Sequence, residues 1–196
     1  MMLVEDSQIP EAELPVAALR QHLRMGTGFA EDDLQDAVLG SFLRAALAAI
    51  EGRSSKALIR RGFLLVLQNW RDPARQALPL SPVAAISEVT LVDRFGVAEA
   101  VDPVSYRLEA DSFTPHLMPF GACLPGIPAG GSVEIRFDAG FGSFADVPAD
   151  LAQAVMLLAA HYYEFRHETS LSQGCMPFGV TSLLARYRPV RLGLGT

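Results

Sequence analysis

The side chains best placed for chemistry lie in one run, His161-Tyr162-Tyr163-Glu164-Phe165-Arg166-His167. A zinc-hydrolase helix presents two histidines four apart on one face, with a glutamate beside the first as general base. Here the histidines are six apart, about 240° around a helix axis, so they point to different sides. His161 and Glu164 are three apart and share a face. They are the pair from which a small metal-dependent hydrolase would be built, although such a pair is more often surface structure. No Gly-x-Ser-x-Gly elbow exposes a serine nucleophile. GFGS at 140–143 follows a strand-like segment but lacks the glycine spacing and Lys-Ser/Thr pair of a phosphate cradle. Cys123 and Cys175 lie in Pro/Gly-rich surroundings, form no close-spaced pair and begin no recognisable helix. They read as reduced thiols, not as a bridge, a metal site or an activated nucleophile. The residues predict no enzyme, no catalytic or metal-binding residue and no cofactor.

The elements that carry this run organise the chain. In Gly131–Asp138, Val133, Ile135 and Phe137 alternate with Glu134, Arg136 and Asp138, the period of a half-buried strand. Gly140 and Gly142 end it in a turn. Pro148 falls where a helix would begin, and Asp150 puts negative charge at that helix's positive end. Leu151, Val155, Leu158, Tyr162 and Phe165 then recur at steps of four and three, predicting one apolar face on a long helix to about Arg166.

Upstream, residues 1–13 read as a flexible N-terminus. Pro15 opens a short helix with Val16, Leu19 and Leu23, closed by Gly26 and Gly28. A second helix follows the acidic 31–33, with one stripe of Leu34, Val38, Phe42, Ala45 and Ala49, widened by Leu39, Leu43, Ala46 and Ile50. A stripe that broad predicts burial on more than one side. Phe63–Trp70 is a strand-length apolar run, and LPLSP at 78–82 an extended linker. Ala85–Val92 and Val97–Val101 pair through a DRFG turn, and Tyr106–Leu108 is a short strand. The Pro/Gly-rich 111–130 reads as an irregular loop. A short helix is expected over Val180–Tyr187, stopped by Pro189. The fold class is α+β: a helical body (14–60 and 147–188) with a small antiparallel β sub-domain inserted at 61–146, and a tail at 189–196. No internal repeat is present.

Composition bounds the function. A chain of 196 residues suits one domain and needs no disulfide or metal to fold. No apolar run is long enough to cross a membrane, and the acidic N-terminus is no secretory signal, so a soluble intracellular product is expected. Charged residues are 19%, below the usual ~25%. Mean hydropathy is +0.24. Apolar surface reserved for other subunits explains both, as does a merely alanine-rich sequence. Residues 1–36 hold eight acids against Arg20 and Arg24, which accounts for the whole formal charge of −6. Arg53, Lys56, Arg60 and Arg61 form a basic cluster, and Arg186, Arg188 and Arg191 a basic end. Such polarity suits head-to-tail contacts between copies, or partners at opposite ends. The chain is acidic overall and carries no zinc knuckle or aromatic-rich basic stripe, which argues against sequence-specific nucleic-acid binding.

The ordered segments are IEGRSSKALIRR (50–61), LPLSPVAAISEVTLVDRFG (78–96), DPVSYRLEAD (102–111), VEIRFDAGFG with DVPADLAQAVMLLAAHYYEFRHE (133–168), and PFGVTSLLARYRPVR (177–191). In that series, over roughly residues 14–192, the chain resembles the head-to-tail adaptor (connector) family of long-tailed bacteriophages and gene transfer agents. The resemblance implies a non-enzymatic ring, commonly of twelve copies, below the portal in the neck of a particle. It implies partners too: the portal protein, a stopper or tail protein, and double-stranded DNA passing through non-specifically. Before assembly the protein would be cytoplasmic in the producing bacterium. By the same resemblance Arg186, Tyr187, Arg188, Val190, Arg191 and Leu192 would dock on the portal. Leu151, Val155, Leu158, Tyr162 and Phe165 would supply core and ring contacts, with the helix around Ala30–Gly52 as a second ring element. A stopper or tail-completion ring is the alternative of the same class, and a His161/Glu164 hydrolase the alternative of another.

Overall fold

Alternation at 132–139 does what it predicts, and the resulting strand becomes the centre of a sheet. A computed structural model describes residues 1–25, 32–166 and 176–187, the side chains of 32–34 excepted. It divides the chain into two compact units, Met1–Gln8 with Ile59–Phe141, and Ile9–Leu58 with Gly142–Thr196. The fold is mixed helix and antiparallel sheet, with four helices among the described residues.

In the first unit the strands are β1 (Met2–Glu5), β2 (Arg61–Leu67), β3 (Gln76–Ala77), β4 (Val83–Val92), β5 (Ala98–Ala100), β6 (Tyr106–Glu109), β7 (His116–Pro119) and β8 (Ser132–Ala139). They form a five-stranded sheet in the order β1-β2-β8-β4-β5 and a three-stranded sheet β3-β7-β6. All pairings are antiparallel. Val133, Ile135 and Phe137 are buried with Phe63, Leu65 and Leu67 of β2. Phe63 stacks on the opposite Phe137 with ring centroids 5.7 Å apart. Gly140 (φ +131°) closes β8 where a Cβ would lie 2.4 Å from the Arg60 Cα, so no side chain fits.

Four expectations change here. The flexible N-terminus 1–13 holds β1, which pairs with β2 in the register Met2↔Val66 to Glu5↔Phe63. Its residues are all exposed, so burial left no signal in the sequence. The loop 111–130 holds β7, the middle strand of the small sheet, hidden between Pro115 and Pro119 with only Leu117 fully buried. The single sheet is therefore two. The Phe63–Trp70 strand stops at Leu67, and Trp70 instead donates its indole N–H to the Pro125 carbonyl at 2.7 Å.

In the second unit the helices are α1 (Val16–His22), α2 (Asp32–Ser54), α3 (Ala149–Glu164) and α4 (Phe178–Leu183), with 3-10 turns at Glu11–Glu13, Phe144–Asp146 and Ala185–Tyr187. The longest is α2, with 23 residues or about 35 Å, not the C-terminal α3 with 16. Arg20 of α1 grips Asp36 of α2 at 2.7 Å. Ahead of α3, the backbone N–H and Oγ of Ser143 donate to Asp146 at 2.9 and 2.8 Å. Pro148 then caps α3, where its missing N–H costs no hydrogen bond. The C-terminal helix starts at Phe178, two residues before the expected Val180, and passes into the 3-10 turn at Leu184.

Candidate functional site

His161 and Glu164 stand in different surroundings at the end of α3. His161 stacks on Phe165 with centroids 4.7 Å apart. Its buried Nε2 has no hydrogen-bond partner among the described residues, while Glu164 is exposed at the helix end. Both line a cavity of about 290 Å³, together with His22, Leu157, Ala160 and Pro177. Among the described residues no three His, Cys, Asp or Glu side chains are grouped to hold a metal. His167 and Cys175 lie outside the described residues; Cys123 is exposed and unpaired.

On α3 the expected face divides. Leu151, Val155 and Leu158 are buried, together with Ala154, Met156, Ala159 and Ala160, so this face belongs to the subunit's own core. Tyr162 is only half-buried, and Phe165 lies past the helix end, 38% exposed. Both therefore leave the core set: the helix ends before its 3.6-residue period brings Phe165 inward.

On α2 the two stripes are not equivalent. Leu39, Leu43, Ala46, Leu47 and Ile50 are fully or almost fully buried. Val38 is 45% exposed, Ala45 exposed, and Phe42 and Ala49 half-buried. Phe42 meets Tyr163 of α3 edge to face, centroids 6.2 Å apart. On one flank of this outer stripe a groove of about 680 Å³ runs between α2 (Gly40, Ser41, Arg44) and the segment through Leu14 and Val16.

The C-terminal root is a third feature. The Tyr187 hydroxyl donates to Asp150 Oδ1 at 2.8 Å, and Arg186 Nε donates to Asp150 Oδ2 at 2.8 Å. Arg186 also donates to the Tyr187 hydroxyl, and its guanidinium lies 4.7 Å over the Tyr187 ring. Burial raises the Tyr187 hydroxyl above its ordinary pKa, against the opposing Arg186 hydrogen bond. That hydrogen bond is the main cause raising Arg186. These two residues, expected on the portal, thus also hold the first turn of α3. Arg188, Val190, Arg191 and Leu192 lie outside the described residues. Sequence reasoning saw Asp150 only as a helix-dipole charge. Its partners are 36 and 37 positions away, beyond any local pattern.

The basic cluster is divided between buried and exposed positions. Lys56 and Arg61 are buried, and only Arg53 and Arg60 are exposed. Arg61 Nε donates to Glu5 Oε1 at 2.7 Å and Nη1 to the Ile59 carbonyl at 3.1 Å, with the guanidinium 4.8 Å over Phe63. Glu5 went unrecognised because nothing local marks it as a partner for a residue 56 positions on.

No family model and no curated protein matches the chain. Solved structures do. A chain in the neck of an empty gene transfer agent particle, computed with C6 symmetry, is 53% identical with a TM-score of 0.90, covering 100% of this chain and 99% of that one. A chain in the virion of a native gene transfer agent particle is 52% identical (TM-score 0.86), with the same coverage. One in the neck of a native particle, computed with C12 symmetry, is 49% identical (TM-score 0.85), again over 100% and 99%.

Proposed function

Because this chain belongs to the head-to-tail adaptor (connector) family of long-tailed bacteriophages and gene transfer agents, we propose that it is a structural neck component of such a particle. Its specific work is that of the adaptor: a ring of copies below the portal that extends the DNA channel and offers a docking surface to a stopper or tail protein. The observation that carries this reading is similarity at 49–53% identity over the whole length to chains of a particle neck and virion. At that identity and coverage the whole fold is shared, not a single motif. The C6 and C12 symmetries of those necks favour a closed ring, which needs two unlike faces on each copy.

The chemistry is compatible. A formal charge of −6 adds no net pull on a phosphate backbone, and each Lys/Arg–phosphate contact avoided removes salt-dependent drag on moving DNA. The tail beyond Tyr187 is the portal contact in this reading. Arg186 and Tyr187 hold its root through Asp150 and leave Arg188, Val190, Arg191 and Leu192 for the partner.

The test is a truncation after Tyr187, which spares the Asp150 contacts. Truncated chain should fold normally and fail to join portal-bearing heads. Normal attachment refutes the tail assignment. Particle imaging tests the level: density directly against the portal is expected, and density separated from it by another ring makes the chain a stopper.

A further inference from the structure

From Phe178 to Tyr187 the residues sort into two rows. Val180, Leu184 and Tyr187, at steps of four and three, are buried against their own unit. Phe178, Ser182 and Ala185, at the same steps, form an outward row, and exposed Arg186 adjoins it at the end nearest the tail. Phe178 is 88% exposed, more than any other large apolar side chain among the described residues. Gly179 beside it faces open space, since a Cβ there would meet nothing within 4 Å. The inner row holds the outer one in place: the Leu184 amide donates to the Val180 carbonyl at 3.1 Å, and Tyr187 is fastened to Asp150 at 2.8 Å. The outward row carries no acid and no lysine. Aromatic residues and arginine are the types enriched where proteins meet, while lysine and the acids are depleted there.

We infer that the portal's footprint on this chain begins at Phe178, with that ring as its aromatic anchor, and runs along the outward row of α4 into the tail. The inference rests on the tail reading above and extends it onto α4. Three observations select the portal protein as the occupant. The first is continuity. The 3-10 turn at Ala185–Tyr187 joins α4 to the tail, and Phe178 stands about 14 Å from Tyr187 along the helix axis. Because Asp150 fixes the root, a partner that holds the residues after Tyr187 is brought up against this row. The second is size. Arg188, Val190, Arg191 and Leu192 are few beside the roughly 20–30 residues a side of a standard interface, so the tail's partner needs adjoining surface. The third is charge. The Arg186 side chain stays 67% exposed after its contact with Asp150, so the row ends on a cation continuous with the basic tail.

Phe178→Ala in the full-length chain tests the anchor. The purified variant should keep the wild-type circular dichroism spectrum and melting temperature, since the ring it loses stands in solvent. Its attachment to portal-bearing heads should fall about tenfold or more, the loss expected of an aromatic anchor. Phe95→Ala, which removes a phenyl ring 77% exposed in the other unit, should leave attachment unchanged. Should Phe178→Ala fold poorly, Ser182→Glu one turn along the same row carries the same expectation. A benzophenone photo-crosslinker at position 182 should join the chain to the portal protein. Normal attachment of the folded variants, or crosslinking to a stopper protein or to a second copy of this chain, overturns the inference. The chain truncated after Tyr187 separates the two claims. If it fails to attach while Phe178→Ala attaches normally, the tail reading stands and the α4 footprint falls; if it attaches normally, the tail reading itself falls.

Discussion

Asp150→Ala is the most informative substitution at the C-terminal root. It removes the acceptor for the Tyr187 hydroxyl, held at 2.8 Å by a residue only 8% exposed. A hydrogen bond to a charged group contributes about 1.5–3 kcal/mol, and leaving the part-buried hydroxyl's proton without an acceptor adds to the loss. The carboxylate also sits in the first turn of α3, where negative charge is worth about 0.3–1 kcal/mol. Arg186 adds nothing to the ledger, because its guanidinium stands in solvent. The sum is about 2–4 kcal/mol, and a chain of this length moves about 2–4 °C in Tm per kcal/mol. A fall of about 4–16 °C by calorimetry is expected. Tyr187→Phe, which leaves Asp150 its bonds from Arg186 and Leu151, should cost about 1–2 kcal/mol. The double variant should cost clearly less than the sum, by about 1 kcal/mol. Strict additivity, or an Asp150→Ala Tm within 1 °C of wild type, would refute the claim that this contact fastens the root.

The other expectations follow from the same kind of reading. Glu5→Gln removes the negative charge of one carboxylate paired with the buried Arg61 guanidinium; Glu5 itself is about half-exposed, so a loss of about 1–2 kcal/mol is expected in urea titration, and no loss would mean this pair contributes little. Gly140→Ala forces a Cβ into the Arg60 backbone at φ +131° and should cost about 3 kcal/mol or more, or abolish soluble expression; a stable variant would mean this turn relaxes freely. Burial raises the Tyr106 and Tyr187 hydroxyls, so their contribution is complete below the unfolded phenol value of about 10 and is lost as pH climbs through the higher folded values. Wild type should therefore lose stability above about pH 10 more steeply than a Tyr106→Phe/Tyr187→Phe double variant, and equal slopes would exonerate the phenols.

Local periodicity determined much of this protein before any coordinates. The alternation of Val133, Ile135 and Phe137 specified β8, and the apolar steps from Leu151 specified α3, because each pattern has a core face only in its own secondary structure. Pro15, Pro148 and the glycines at 140 and 142 marked ends correctly, since their backbone limits hold in any context. Segment order carried the family. What stayed hidden was whatever depends on distant partners. β1 is wholly exposed and exists because β2 offers it an edge. β7 is a strand because β3 and β6 flank it, although it ends on Pro119 and follows Pro115. The two stripes of α2 read as one broad apolar face; only packing separated Leu39–Leu43–Ile50, which is covered, from Val38–Ala45, which is not. Hydrophobic pattern states how much surface a helix would bury. Which part the subunit covers and which it leaves exposed is set by long-range geometry, since a side chain's free energy depends on what surrounds it, and residues tens of positions away supply those surroundings.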